Sequence, residues 1–488
     1  TISGVKTSGT NYQYIGLFGA NDGTIKNLTV NGNVSGQNNV GVLTGINRGT
    51  IENCTTEGAA AAASNFAGGI AGENYNGTIS TSGSTAAVTG SGYVGGLVGR
   101  NHFYYGSGDA ALINCYAQGD VTGSRYVGGL VGHNYGESGS GTVVIRNCYA
   151  AGKVNDGAGA GLVDSNNGRI YNSYYNGENN SQNNVNYKNG YPVSLEELAS
   201  PATFYMWDFD YIWEVNGSYP YINVRGETPK IEFEGDGDSD IPYYVETEEQ
   251  LYALAMGEAK TGSKIYYQLA NDIAITAKFW MPIGEYDSFV GIFDGNGHTI
   301  SGVRISDTNY QYIGLFGCSD GTIQNLTVQG DVSGQNHVGI LIGNNRGTIE
   351  NCLTEGTAAG AVNLIGGLAG ENYNGTISTS GSTAAVSGSG YVGGLVGRNH
   401  FYYGDRNAAI TNCYAHGDVT ATGYAGGLVG YNYYEGGSYT TAIQYCYSIG
   451  AVTGSRSTGG IVGENNGVVT ASYYNSETSG QTDTVKGT

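Results

Sequence analysis

A Gly-x-Asn element recurs along the chain at intervals of 26 to 33 residues. In the first half it begins at Gly19, Gly45, Gly72, Gly99 and Gly132. Periods of 20 to 50 residues indicate solenoids, because one unit cannot bury its apolar face until its neighbours stack on it. Between the elements lie short strand patterns punctuated by Gly and Asn, without helical periodicity. The pattern predicts an all-β fold in which each unit is one coil of a parallel β-helix.

The whole set of coils occurs twice. Residues 1–5 read Thr-Ile-Ser-Gly-Val, as do residues 299–303, and the copies align without a gap to about residue 158 at an offset of 298. After a slip of one residue, the pair Tyr174 and Tyr175 aligns with Tyr473 and Tyr474. We therefore predict two tandem β-solenoid modules. Each copy carries flanking residues that the other lacks, so we expect the chain to be part of a longer array.

The segments between the repeats differ in composition from the coils. Two capping-box patterns, at Ser194 and Thr247, predict helix starts, and the second opens an amphipathic helix to about Glu258. Aromatic residues crowd 203–222 and predict a small packed cap. We divide the chain into a first solenoid, an aromatic cap, an acidic linker, an opening segment with a short helix, and a second solenoid: 1–189, 190–225, 226–242, 243–298 and 299–488.

One position in successive coils holds small residues. In the first module these are Leu28, Cys54, Ser82, Cys115, Cys148 and Ser173. Because Ser and Leu replace Cys there, we interpret the cysteines as a buried, reduced ladder and not as disulfides or metal ligands. The preceding residue is usually Asn, which tolerates the left-handed conformation of a corner and can pair its amide along the stack.

Charge and hydropathy exclude several classes of partner. The formal net charge is −21 over 488 residues, which argues against nucleic acid and anionic membrane surfaces. No apolar run is long enough for a membrane-spanning helix. An acidic chain with 85 Gly and 41 Tyr fits an extracellular protein.

The motif Tyr-Val-Gly-Gly-Leu-Val-Gly at 93–99, repeated at 126–132 and 391–397, resembles the GLUG repeat. Residues 280–284 and 293–300 resemble the usual opening of a GLUG-containing domain. The resemblance implies secreted or surface-attached bacterial proteins, including adhesin-like proteins and the non-catalytic parts of some immunoglobulin A proteases. It carries no protease activity here, because the six His residues form no His-Glu-x-x-His zinc motif.

Two motifs with possible chemistry have simpler interpretations. Ser319 stands in a Gly-x-Ser-x-Gly sequence, which a hydrolase would use as a nucleophile elbow, but a coil turn is favoured because the elbow requires an α/β sheet. Asp236, Asp238 and Asp240 have the alternating spacing of a calcium loop, yet the Gly and Glu of that loop are missing. They are a solvated acidic linker or a Ca²⁺ site, the only cofactor that the sequence suggests.

Aromatic insertions lengthen one coil in each module. Insertions in a solenoid map to one face, often a binding face, and Tyr suits contact with sugars or proteins. The alternative is that these rings pack on the solenoid's own flank. If they bind, replacing Phe103, Tyr104, Phe401 and Tyr402 by Ser should weaken lateral or receptor contacts and leave folding nearly intact. The candidate binding residues are His102, Phe103, Tyr104, Tyr105, Tyr135, His400, Phe401, Tyr402, Tyr403, Tyr433 and Tyr434.

We predict a structural, non-enzymatic role, as a repetitive extracellular module of a bacterial adhesin, fibre or filament. Its partners would be neighbouring modules or other copies. The first alternative is a stalk that binds a host glycan or protein receptor through the aromatic loops. The second is a polysaccharide-active β-helix enzyme, which rests on fold analogy alone.

Overall fold

The computed structural model describes the chain except residues 10–11, 105–108, 138–141, 156–158, 180–188, 216, 227–229, 258, 260–261, 307–310, 403–407, 437–439 and 483–488. The chain forms two compact units, Thr1–Pro229 and Lys230–Thr488. In each unit the strands of successive coils pair in parallel, which confirms the all-β parallel β-helix.

Four parallel sheets run along the first unit. The wide sheet contains Ile2–Gly9, Thr29–Gly36, Thr55–Ala62, Gly83–Ser84, Ala87–Gly90, Tyr116–Ala117, Val121–Gly123, Tyr149–Ala150, Val154–Asn155, Tyr174–Asn176 and Tyr191–Val193. The flank sheet contains Phe18–Asn21, Thr44–Asn47, Ala71–Tyr75, Val98–Phe103, Val131–Gly136 and Val163–Asn166. The third sheet contains Thr24–Lys26, Thr50–Glu52, Thr78–Ser80, Ala110–Ile113, Val143–Arg146 and Arg169–Tyr171. The short sheet contains Val40–Gly41, Ala67–Gly68, Val94–Gly95 and Val127–Gly128.

The second unit repeats this plan with three sheets. Its wide sheet contains Ile273–Ala274, Thr299–Ser306, Thr327–Val338, Leu353–Gly366, Gly381–Ser382, Ala385–Gly388, Tyr391–Gly393, Tyr414–Ala415, Val419–Ala421, Tyr424–Gly426, Tyr447–Ser448, Val452–Gly454, Ser457–Gly459 and Tyr473–Tyr474. Its flank sheet contains Phe316–Ser319, Ile342–Asn345, Ala369–Tyr373, Val396–Phe401, Val429–Tyr434 and Val462–Asn465. Its third sheet contains Tyr243–Val245, Tyr266–Leu269, Ile292–Asp294, Thr322–Gln324, Thr348–Glu350, Thr376–Ser378, Ala408–Thr411, Thr441–Gln444 and Val468–Thr470.

The helices are few and short. They are Leu195–Leu198, a 3-10 turn at Pro201–Thr203, Glu248–Ala255 and Ser476–Ser479. Both predicted capping boxes are confirmed: Ser194 pairs with Glu197, and Thr247 with Gln250. The longest helix ends at Ala255, three residues before the predicted end. Among the described residues, we find no helix with the length and apolar character needed to cross a membrane.

The segments outside the repeats each belong to one of the two units. The hairpin of Trp213–Val215 and Pro220–Ile222 belongs to the first unit. In the second unit, the strands at Tyr243–Val245, Tyr266–Leu269 and Ile292–Asp294 begin the third sheet. The described strands between residues 243 and 298 are therefore part of the coils of that unit.

The Tyr-Val-Gly-Gly-Leu-Val-Gly motif forms a corner between two strands. The strand Val94–Gly95 belongs to the short sheet, and the next strand, Val98–Phe103, belongs to the flank sheet. A Cβ atom on Gly95 would lie 2.1 Å from the carbonyl oxygen of Val98, and one on Gly96 2.3 Å from that of Gly129. No side chain fits there, so the paired glycines allow adjacent coils to turn in contact.

A buried ladder of asparagine amides connects the coils of the flank sheet. Each Nδ2 donates to the Oδ1 of the next Asn over 2.7–2.9 Å. In the first module the ladder contains Asn21, Asn47, Asn74, Asn101, Asn134 and Asn166. In the second module it contains Asn345, Asn372, Asn399, Asn432 and Asn465. Apart from Asn166, which follows Asp164 and Ser165, these residues are the Asn of the Gly-x-Asn element, and their role is architectural.

The predicted corner asparagines are confirmed. Asn27, Asn53, Asn114, Asn147 and Asn172 all have a positive φ, between 47° and 55°. The amide of Asn53 donates to that of Asn27 over 2.8 Å. A left-handed residue is therefore required at this corner in every coil, and Asn adopts that conformation at little cost.

The cysteine ladder is also confirmed. All seven cysteines are free and buried. The Sγ atom of Cys115 lies 3.4 Å from the carbonyl oxygen of Ile79, and the Sγ atom of Cys148 lies 3.6 Å from that of Leu112. Burial raises the pKa of the Cys148 thiol and raises that of Cys352 to about 12. Cys148 and Cys352 are thus held as neutral thiols in a closed core.

We expect the native protein to resist thiol reagents. Because the thiolate is the reactive species, the native chain should release less than about one equivalent of fast-reacting thiol at neutral pH, and all seven cysteines should react after denaturation. A colorimetric thiol titration with and without guanidinium measures this. Rapid native labelling of Cys54, Cys115 or Cys148 would contradict the buried ladder.

Candidate functional site: an aromatic flank around a buried carboxylate

Two rows of side chains line up across the flank sheet of the first module. The parallel register pairs Glu73 with Arg100, and Arg100 with His133. Two residues further along, it pairs Tyr75 with His102, and His102 with Tyr135. Residues 27 to 33 apart in sequence thereby become neighbours. This stacking assembles a charged row beside an aromatic row.

The rings join into one continuous array, here called the aromatic flank. It contains Phe66, Tyr75, Tyr93, His102, Tyr104, Tyr126, His133 and Tyr135. Tyr93 stacks on Tyr126 with 4.7 Å between ring centroids and on His133 with 5.2 Å. Tyr104 and Tyr126 are the exposed members. The flank therefore offers aromatic rings to solvent on a rigid sheet.

The second module repeats the array with two substitutions. Its members are Tyr373, Tyr391, His400, Tyr402, Tyr424, Tyr431 and Tyr433. Leu364 replaces Phe66, and Tyr431 replaces His133. The central contact is retained, because Tyr391 lies 4.8 Å from both Tyr424 and Tyr431.

A buried carboxylate supports each flank from behind. Glu73 accepts from Arg100 Nε over 2.8 Å and from Asn39 Nδ2 over 3.0 Å. His102 Nδ1 lies 3.5 Å from the same carboxylate. Burial raises the pKa of Glu73, but His102 and Arg100 outweigh it and leave the pKa below its usual value. The carboxylate is held ionised as an ion pair.

The equivalent Glu371 has more partners. Arg398 contacts it at 2.6 Å, His400 Nδ1 at 3.0 Å and His337 Nε2 at 3.2 Å. Although burial acts to raise its pKa, the two histidines and the arginine lower it well below the usual range. His337 stands where the first module has Asn39. A carboxylate held this firmly is poorly suited to act as a general acid.

The structure divides the predicted binding residues into three groups. His102, Phe103, His400 and Phe401 are buried. Tyr104 and Tyr402 are exposed, whereas Tyr135, Tyr433 and Tyr434 are half-buried. Tyr105 and Tyr403 lie outside the described residues. The expectation that replacing Phe103 and Phe401 leaves folding intact is wrong, because both rings are part of the core.

Sequence reasoning missed Glu73, Arg100, Tyr93 and Tyr126. Each lies in a coil next to its partner, so its neighbours are remote in sequence. Writing the coils in register would have placed Glu73 beside Arg100, and Tyr93 beside Tyr126. That alignment was the available signal.

The other two motifs have structural roles. Ser319 ends a flank strand, and its buried Oγ donates to the carbonyl oxygen of Phe289 over 3.3 Å. It takes the ladder position of an Asn, as the turn interpretation predicts. Asp238 Oδ1 accepts from the backbone N–H groups of Asp240 and Ile241, which lower the pKa of its carboxyl group.

The calcium prediction for Asp236, Asp238 and Asp240 gains no support from this geometry. The carboxylate of Asp236 caps the N–H of Asp238 over 3.2 Å, so two of the three acids are used inside the loop. Across the described ranges, we find no group of three His, Cys, Asp or Glu residues arranged to hold a metal ion.

His133 should make the first module sensitive to acid. Burial and the nearby charges of Arg100 and His102 lower its pKa to about 4, from an unfolded value near 6.5. The neutral ring is therefore favoured in the folded state, and its contribution is lost as the pH falls from 6.5 towards 4. Because the ring is partly exposed, we expect a loss on the order of 1 kcal/mol.

The substitution His133→Tyr copies the second module and tests this expectation. The variant should lose less stability than the wild type between pH 7 and 4.5, measured by guanidinium unfolding at each pH. Titration of Glu73 does not interfere, because its pKa is lowered in the folded state. The stability that the ionised carboxylate contributes is therefore lost only below this pH range. Identical pH slopes for the two proteins would contradict the prediction.

The corner motif is also what relates this chain to known proteins. A family model described as the GLUG motif matches residues 90–122, 123–155 and 388–420. Each match contains one of the Tyr-Val-Gly-Gly-Leu-Val-Gly corners. Three segments of this chain therefore match the GLUG motif. The matched segments contain part of each aromatic flank, including Tyr93 and Tyr126 in the first module and Tyr391 in the second.

Two curated proteins are similar to parts of this chain. Halomucin of Haloquadratum walsbyi is 34% identical over 165 residues, which is 31% of this chain and 2% of halomucin. A protein of Evansella cellulosilytica, named as a candidate Gly-rich membrane protein, is 37% identical over 134 residues, 25% of this chain and 15% of that protein. The chain thus spans a small fraction of both relatives.

One solved structure is similar at lower identity. It is the 1.30 Å crystal structure of a candidate immunoglobulin A1 protease from Bacteroides ovatus. The identity is 24%, the match covers 49% of this chain and 77% of that chain, and the TM-score is 0.39.

Proposed function

We propose that the chain is a structural module of an extracellular, surface-associated repeat protein, acting as part of an adhesin or fibre. The observation that carries the proposal is the duplication of one solenoid, ladder by ladder, within a single chain. Solenoids made of stacked, equivalent coils serve to extend a surface, because each coil contacts only its neighbours. The names of the two relatives agree with a surface role.

The chemistry of the coils suits an oxidising exterior. The thiols are buried one by one in the core, and burial raises the pKa of Cys54 and Cys148. Neutral, enclosed thiols react slowly with oxidants and disulfides. The core can therefore retain cysteine without forming cross-links outside the cell.

Antibody labelling of intact cells tests the location. An antibody raised against the described coils of the second module should stain unpermeabilised cells of the source organism. External protease should remove the signal while a cytoplasmic marker stays intact. Staining that requires permeabilisation would overturn the proposal.

A second candidate function is saccharide binding by the aromatic flank. Tyr126 is exposed and stacked on Tyr93 at an interplanar angle of 8°, and Arg125 lies 5.8 Å from the Tyr126 ring. Rigid aromatic faces beside a cation match the apolar face and hydroxyl groups of a sugar ring. Tyr391 and Tyr424 repeat the stack in the second module.

Oligosaccharide binding to matched variants tests this function. The double variant Tyr126→Ala and Tyr424→Ala removes one ring from each module and should weaken binding of any glycan found on an array by about fivefold at each site, since stacking contributes roughly 1 kcal/mol per ring. The control is Tyr445→Ala, an exposed ring outside the flank. Equal affinity in both variants, or no glycan bound by the wild type, would reject saccharide binding.

We further propose that the chain is not an enzyme. The buried carboxylates Glu73 and Glu371 are ion-paired with lowered pKa, which leaves neither as the protonated acid that glycoside hydrolysis needs. A screen against polysaccharides and proteins tests this. Turnover that one point substitution abolishes would instead support the polysaccharide-active alternative.

A further inference from the structure

Both modules contain the same tyrosine ladder, but it is buried in the first module and exposed to solvent in the second. In the first, the register aligns Tyr116, Tyr149 and Tyr174. In the second, it aligns Tyr414, Tyr447 and Tyr473. Tyr149 and Tyr174 are 0% and 2% exposed, whereas Tyr447 and Tyr473 are 42% and 59% exposed. The difference lies in what covers the ladder.

An aromatic segment covers the first ladder. Trp207 and Trp213 lie 6.2 and 6.1 Å from the ring of Tyr149, and Phe204 meets Tyr174 edge-on at 5.2 Å. The Tyr149 hydroxyl donates to the carbonyl oxygen of Pro220 over 2.5 Å. These contacts combine apolar cover with a partner for the phenol group, as buried tyrosines require.

Trp207 is anchored on the backbone of the last corner. Its Nε1 donates to the carbonyl oxygen of Asn172 over 3.0 Å. The corresponding corner in the second module is Ala471, which has the same left-handed conformation, with φ of 46°. A backbone carbonyl is available there whatever the side chain.

The second ladder keeps the geometry of a covered one. Tyr414 and Tyr447 are stacked at 5.6 Å and 17°, against 5.7 Å and 17° for Tyr116 and Tyr149. His416 Nε2 lies 3.0 Å from the Tyr447 hydroxyl. In the first module Gln118 occupies that position and donates to Tyr149. Ile449 and Val468 in the same module are also exposed.

We propose that the tyrosine face of the second module is a docking site for a Trp- and Tyr-rich segment of the same chemistry as residues 204–221, presented in cis. The first module supplies the template, with matched rings, spacing and anchoring carbonyl. The segment there follows its own ladder in the chain, through Tyr191–Val193 and Leu195–Leu198. A tethered segment of this kind needs little intrinsic affinity, because its effective concentration is in the millimolar range.

An extended chain tests the proposal. Residues 190–226 are added after Thr488, which occupies the position of Asn189 in the repeat alignment. Hydroxyl-radical footprinting should show the oxidation rates of Tyr447 and Tyr473 falling several-fold, towards those of Tyr149 and Tyr174. The matched control carries the same extension with both added tryptophans changed to Ser, and should leave the rates unchanged.

Further arms separate the alternatives. In the extended chain, Tyr447→Ser should restore oxidation of Tyr473, while unreactive thiols confirm that the coils remain folded. Unchanged rates with the extension, or equal protection by the control, would overturn the proposal. The free peptide 190–226 should protect poorly at micromolar concentration, and strong protection would overturn docking in cis. Concentration-dependent protection of the unextended chain would assign the face to a second copy instead.

Discussion

Replacing Phe103 by alanine should lower the free energy of unfolding of the first module by about 3–5 kcal/mol. The ring is completely buried and forms a small core of its own with Ala110 and Val143. That core lies at the lengthened coil, apart from the main core. Few neighbours can therefore move in to fill the space. Guanidinium unfolding followed by far-ultraviolet circular dichroism measures the loss.

The matched control for this variant is the adjacent Tyr104→Ala. Tyr104 belongs to the same insertion, but its ring is exposed. Its loss should cost less than about 1 kcal/mol. Comparable destabilisation by the two substitutions would show that the insertion does not divide into a core residue and a surface residue.

Replacing Asn101 by alanine should cost about 2–4 kcal/mol. Asn101 accepts from Asn74 over 2.8 Å and donates to Asn134 over 2.9 Å, and all three side chains are buried. The variant leaves the Asn134 oxygen without its donor in a closed site. The same unfolding measurement applies, and the transition of the second module serves as an internal reference.

The control here is another amide pair between coils. Asn65 donates to Asn38 over 2.8 Å, with the same chemistry and a similar sequence separation, but at the surface. Asn65→Ala should change the free energy of unfolding by less than about 0.5 kcal/mol. Equal losses for Asn65→Ala and Asn101→Ala would contradict a special role for the buried ladder.

Much of the fold could be predicted because a solenoid converts sequence periodicity into spatial neighbours. The cysteine position, the left-handed Asn corner and both capping boxes depend on local conformation or on the repeat alone. The corner at Gly95 and Gly96 was harder to predict. It depends on contact with the backbone of the next coil, which no single stretch of sequence reveals.

The candidate site was less predictable for a related reason. Phe103 and Tyr104 are adjacent aromatic residues, and their sequence does not indicate which one faces the core. Glu73 is an ordinary acidic residue until the register places Arg100 and His102 next to it. The burial and charge neutralisation of Glu73 depend on its own coil and on the coils before and after it, which supply Asn39 and Arg100. The identity of a binding partner depends on exposed surface, which periodicity constrains least.

The asparagine ladder has a consequence for how such proteins change in length. Each amide donates to one neighbour and accepts from the other, always in the same direction, so every interior coil presents the same pair of faces. Inserting or deleting one whole coil rejoins a donor to an acceptor and leaves no polar group stranded. Unequal recombination between the gene segments that encode the coils can therefore produce foldable proteins with any number of coils. The length of the solenoid can change without an unstable intermediate.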